Sequence, residues 1–126
     1  MAMPTCRGRI FVALFMLAIQ AIILFSCTAE RRKSDTELGL SPEQAMGRKI
    51  YDSYCFRCHE PYSSAGKKGP SLQGVFKRQY LEKSGLPATD ERVGTIILAG
   101  RNMMPGFGQV LDEQQVQQLL AYLHTL

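Results

Sequence analysis

Metal-binding side chains are scarce in this chain: among 126 residues there are only two histidines and four cysteines. A structural zinc site wants four such ligands. Here Cys6 and Cys27 lie in or beside an apolar N-terminal run, and His124 is almost the last residue. Cys55, Cys58 and His59 stand together, but His59 is too close to Cys58 to share a tetrahedral metal with it comfortably. Strand signals are also lacking. No strand pair is convincing, and no strand–helix alternation surrounds the C-x-x-C pair as it would in a thioredoxin-like dithiol. No segment repeats.

What the chain does have is Cys55-Phe56-Arg57-Cys58-His59. The pattern C-x-x-C-H is the attachment site of c-type haem. Both thiols add to the porphyrin vinyl groups, so they must lie about one helical turn apart on a common face. The histidine that follows brings its imidazole to the iron from the proximal side. The pentapeptide alone leaves three rivals standing: a redox dithiol, half a zinc site, or two structural cysteines beside a chance histidine.

The N-terminus supplies a compartment. Arg7 and Arg9 precede an apolar stretch from Ile10 to Phe25, interrupted only by Gln20. A basic segment followed by an apolar one of this length is an export signal, and it is short for a membrane span, which needs about 20 apolar residues. Leu24-Phe25-Ser26-Cys27 resembles a bacterial lipobox, although Phe25 is larger than the usual residue there. Residues 1–26 are therefore expected to be a lipoprotein-type signal, with Cys27 lipidated on the periplasmic side of a bacterial membrane. This uses every cysteine: Cys6 in the signal, Cys27 for lipid, Cys55 and Cys58 for haem. No thiol is left for a structural disulfide.

Processing also lowers the charge. Without Arg7 and Arg9, thirteen Lys plus Arg face eleven Asp plus Glu, or +2. Two haem propionates would bring that near neutrality, so no nucleic-acid partner is expected. Lys67, Lys68, Lys77, Arg78 and Lys83 cluster around the single acid Glu82. Such a run is either a solvated surface or a patch that steers an acidic redox partner.

Composition divides the rest. Residues 27–40 are polar and charged, suited to a flexible tether after the lipid. Residues 41–126 read as one small all-α domain. A first helix begins at Ser41-Pro42-Glu43-Gln44, a capping-box spacing with proline at the first helical position. It runs to about Ser53, with Ala45, Met46, Ile50 and Tyr54 as an apolar stripe. A middle helix spans Asp90 to Ala99, started by Thr89 or Asp90 and stopped by Gly100. A last helix begins near Asp112, with Val116, Leu119, Leu120 and Leu123 at the spacing of a buried face. A short helix is expected over Phe76 to Ser84. The loops between are rich in glycine and proline, and a haem would give them a surface to order against.

A second iron ligand is offered by Asn102-Met103-Met104-Pro105-Gly106-Phe107. A thioether favours ferrous iron, so His/Met ligation raises the reduction potential. In C-x-x-C-H, Gly69-Pro70-Ser71-Leu72, Met104-Pro105-Gly106-Phe107 and the C-terminal helix, in that order, the chain resembles the class I c-type cytochromes. That resemblance covers nearly all of 41–126. It implies the cytochrome c fold, three main helices plus a short one and long loops wrapped around one covalent haem c. It also implies thioethers at Cys55 and Cys58, His59 as proximal and Met104 as distal ligand. Pro70 would supply the carbonyl that accepts the imidazole N–H, and Leu72 would pack on the haem. Gly47, Tyr51 and Tyr122 match the crossing of first and last helices. Met103 and His124 remain rival ligands, read here as a loop residue at the haem edge and a surface residue.

The implied function is one-electron transfer between membrane-associated redox partners outside the cytoplasm, by a monomer. The alternative is a permanent cytochrome subunit of a larger oxidase or dehydrogenase, such as a respiratory complex. A peroxidase would need an open iron position and a distal acid/base group, for which no spare histidine exists. A sensor would need an output domain.

Overall fold

Capping side chains decide where each helix begins. In the computed structural model, which describes residues 32–126, helix α1 (Pro42–Tyr54) starts at Ser41. The Ser41 hydroxyl accepts from the Gln44 N–H at 3.2 Å, and the Gln44 side chain accepts from the Ser41 N–H at 2.9 Å. Helix α2 (Asp90–Ala99) is capped by Thr89, whose hydroxyl accepts from the Arg92 N–H. Helix α3 (Glu113–Leu123) has a second capping box, between Asp112 and Gln115. These pairs satisfy N–H groups that would otherwise lack partners in the first turn. Among the described residues there is no strand, only the isolated bridges Tyr80–Pro87 and Arg101–Met104. The class is all-α, as expected.

The core forms where α1 crosses α3, with α2 packed on α3. Gly47 permits the crossing: a Cβ there would overlap the Gln118 carbonyl and crowd the Tyr122 Cβ. One turn on, the buried rings of Tyr51 and Tyr122 meet at 5.4 Å between centroids. Val116, Leu119, Leu120 and Leu123 are all buried. The α1 stripe differs from the expected one. Gly47, Arg48, Ile50 and Tyr51 are buried, whereas Met46 and Tyr54 remain 45% and 42% exposed. Close approach at Gly47 turns that face of α1 toward α3, so a glycine, not the largest side chains, sets the helix rotation.

Two further expectations are revised. The segment 76–84 is not a helix. A 3-10 turn, Val75–Lys77, gives way to a loop in which the Leu81 N–H donates to Leu86 O and the Ala88 N–H to Gln79 O. The cationic side chains reach elsewhere: Lys77 donates to the Leu126 carbonyl at 2.9 Å and Arg78 to the Gln73 carbonyl at 2.6 Å. The backbone of this segment is thus satisfied in part by a hairpin-like turn, while its cations serve carbonyls outside it.

Residues 33–40, expected to belong to a flexible tether, are folded onto α1. Leu40 packs against the core, and its N–H donates to Asp35 O. Arg48, a buried cation in α1, donates to the Asp35 carboxylate and to the Lys33 carbonyl, each at 2.6 Å. The compact unit that contains the three helices begins at Lys33. The export signal, Cys6 and Cys27 lie outside the described residues. Among the described residues, no helix is long and apolar enough to cross a membrane.

Candidate functional site

The C-x-x-C-H segment is the frayed end of α1. Cys55 is its C-cap, with helical φ and ψ and its N–H donating to Tyr51 O. The N–H groups of Cys58 and His59 both donate to Cys55 O at 2.9 Å. One further turn therefore follows the helix and holds Cys55 and Cys58 one turn apart. Cys55 is buried and Cys58 half-buried, and the two are not bridged. Burial pushes the Cys55 thiol up to about 12, with Cys58 and Asp52 adding to the shift. A redox-active dithiol needs the opposite, a stabilised thiolate. Among the described residues no three His, Cys, Asp or Glu side chains are grouped to hold a metal ion. The raised Cys55 thiol speaks against a redox dithiol.

His59 is fixed from three directions. Its Nδ1 lies 2.8 Å from the Pro70 carbonyl oxygen. A carbonyl only accepts, so Nδ1 carries the proton and the neutral ring keeps its lone pair on Nε2. The buried Tyr51 hydroxyl donates to the His59 carbonyl at 2.9 Å. Gly69 lies flat on the ring: a Cβ there would come within 2.5 Å of Cε1 and 2.9 Å of Nδ1. Its N–H donates to Cys58 O at 2.8 Å. The sequence offered Gly69 only as part of a short glycine–proline pattern, yet it is the residue that lets the imidazole lie where it does.

Lys67 ties this loop to the motif. Its ammonium donates to the Phe56 carbonyl at 2.9 Å, sits 3.2 Å from the Glu60 carboxylate and lies 3.5 Å above the Phe56 ring. Leu72, which is half-buried, packs against the core, and its N–H donates to Glu60 O.

The methionine loop is a two-residue hairpin. The N–H of Arg101 donates to Met104 O, and the N–H of Met104 to Arg101 O, both at 2.9 Å. Asn102 takes φ of 52°, a left-handed conformation that asparagine tolerates better than most residues. Met103 at the tip is 95% exposed. Met104 is half-buried against the core that includes Cys55. Bonds from Phe107 N–H to Ile97 O and Gly108 N–H to Leu98 O lay the following strand of chain along the end of α2. This needs glycine at 106, where a Cβ would meet the Leu98 and Ala99 backbone. His124 is half-exposed and already engaged, with Nε2 2.7 Å from the Asp90 carboxylate and its ring stacked on Phe76 at 3.9 Å.

The family described as cytochrome c oxidase, cbb3-type, subunit III, matches residues 42–123. The chain belongs to that family of c-type cytochrome domains. It is a small class I cytochrome with covalent haem c, an electron carrier and not an enzyme. Cytochrome c6 of Nostoc sp. (strain PCC 7120) is 26% identical over 110 residues, covering 87% of this chain and 89% of that protein. Cytochrome c6 of Thermosynechococcus vestitus is 27% identical over 88 residues, covering 70% and 74%. Cytochrome c6 of Parathermosynechococcus lividus is 28% identical over 79 residues, covering 63% and 85%. The residues fit the haem such a cytochrome carries. Two thiols lie one turn apart, and an imidazole is held in the tautomer that leaves Nε2 free for iron. A glycine leaves that ring unhindered, and a methionine is turned inward.

Proposed function

We propose that this cytochrome passes single electrons between redox partners outside the cytoplasm, with haem attached at Cys55 and Cys58 and iron held by His59 and Met104. When bound, the haem supplies a one-electron ferrous/ferric couple. The chain's own residues determine how that couple behaves. The observation that carries the reading is the His59 Nδ1–Pro70 O contact of 2.8 Å, because it selects the ligating tautomer and makes the imidazole a better donor. Met104, as thioether, would favour the reduced state and occupy the second axial position. Little then moves when the electron arrives, and partners would meet the protein in a brief, small contact.

Closure of both axial positions has a direct test. Carbon monoxide added to the reduced protein at neutral pH should bind slowly or not at all. Rapid binding would reveal an open position and contradict electron carriage as the sole role.

The anchor belongs to the same proposal. Cys27, lipidated after removal of residues 1–26, would hold the domain near the periplasmic face of a membrane, where membrane-associated donors and acceptors are found. The Lys33 carbonyl already accepts from Arg48 of α1, so few residues of sequence separate Cys27 from the domain. A second reading is favoured by the family itself, whose description names an oxidase subunit: the chain would be a permanent cytochrome subunit of a respiratory complex. Detergent extraction followed by size analysis separates the two. A free carrier runs as a small protein, and a subunit co-migrates with a large complex.

A further inference from the structure

Of the five basic residues between 67 and 83, three have ordered internal partners. Lys77 holds the C-terminal carbonyl, and Arg78 holds Gln73 O and Glu82. Lys67 differs from these because its partners belong to the haem-attachment turn itself. It reaches Phe56, which lies between the two cysteines, and Glu60, which follows the histidine. Its own backbone N–H donates to Gly69 O at 3.1 Å. Gly69 in turn donates to Cys58 O, and Pro70 accepts from the His59 ring. One side chain therefore bridges the two pieces of backbone whose separation fixes the His59–Pro70 bond.

We propose that Lys67 is a positioning residue for the proximal imidazole: its ammonium holds the 67–70 loop against the Cys55–His59 turn and so keeps the Nδ1–H···O bond to Pro70 short. Its carbonyl contact is charge-assisted, and its ion pair is partly shielded, with Lys67 and Glu60 side chains 31% and 24% exposed. Its effect on the reduction potential has two parts of opposite sign. A cation near the haem stabilises ferrous iron, so its loss lowers the potential. A looser Nδ1–H···O bond makes the imidazole a poorer donor to ferric iron, which raises the potential. High salt helps to separate the two, since at about 1 M the screening length falls to about 3 Å and the long-range charge effect weakens, while the hydrogen-bond effect is unscreened.

The inference rests on His59 as proximal ligand, and the experiment keeps the two claims apart. In the haem-loaded protein, Lys67→Gln, Lys67→Arg and wild type are compared by proton exchange and by redox titration at low and high salt. Paramagnetic displacement of the His59 ring resonances in the ferric wild-type protein establishes ligation independently; its absence would sink the ligand assignment instead. Lys67→Gln is expected to speed exchange of the Gly69 amide and the His59 Nδ1–H at least tenfold while α3 amides keep their rates. Its potential at high salt should lie above wild type, and Lys67→Arg should restore both. Unchanged exchange at those two sites, or equal acceleration throughout the molecule, overturns the proposal. So does a potential at high salt that is unchanged or lower.

Discussion

At the scale of single residues, the site is governed by what surrounds His59 as much as by the motif that contains it. Gly69 leaves no room for even a methyl group against the ring, since a Cβ would stand 2.5–3.0 Å from three ring atoms. Gly69→Ala should therefore force the imidazole off its bond to Pro70. The expected outcome is a sharply reduced yield of low-spin haem, read in the visible spectrum of the matured protein. The two methionines are separated by the hairpin, with Met103 outward and Met104 inward. Met104→Ala should abolish the weak sulfur-to-iron charge-transfer band of the oxidised protein and lower its potential. Met103→Ala should leave both unchanged; the reverse pattern would reassign the ligand. The pentapeptide stands out in sequence because haem attachment demands its spacing, and the methionine–proline pair because it follows the order of the family's motifs. Gly69 and Lys67 do not stand out, since their partners come from a loop that only folding brings against the turn.

At the scale of elements, helix starts and the buried face of α3 were readable, and the face of α1 was not. Ser41, Thr89 and Asp112 cap through side chains three residues from their targets, so their signals are local. The rotation of α1 depends on Gln118, more than sixty positions away in the chain, and periodicity carries no trace of it. Gly47→Ala tests this account. Alanine gains about 1 kcal/mol in helix propensity, but its methyl meets backbone, which cannot swing aside as a side chain can. The overlap should win, with a net loss of about 2–3 kcal/mol in denaturant unfolding of the haem-loaded protein. A stabilised variant would mean that α1 and α3 cross elsewhere. The segment 76–84 forms a loop instead of a helix, closed by bonds from Leu81 N–H to Leu86 O and from Ala88 N–H to Gln79 O.

Arg48 makes the same point for the N-terminal edge of the body. A buried cation in an amphipathic helix gives no sign in sequence of which carboxylate answers it. Removing that partner leaves a guanidinium with only the Lys33 carbonyl, so Asp35→Ala should cost about 1–2 kcal/mol, a figure reduced because Asp35 is itself partly exposed. It should also make residues 33–40 more susceptible to protease. Equal protection in variant and wild type would show that Leu40 and the turn hold this segment without the ion pair.

At the scale of the whole molecule, a body of modest size is organised around one helix crossing and one covalent attachment point. Its core is built mainly by α1, α2 and α3, while the loops at 61–74 and 100–111 bring the Pro70 carbonyl to His59 and turn Met104 inward. The central claim is that Cys55, Cys58 and His59 hold a single haem c, and the pyridine haemochrome of the full chain, matured in a haem-attaching host, tests it most directly. The account predicts a c-type spectrum with one haem per chain, retained after acid–acetone extraction and lost on Cys55→Ala/Cys58→Ala. A haemochrome of the non-covalent type, or haem extracted from the intact protein, would contradict it.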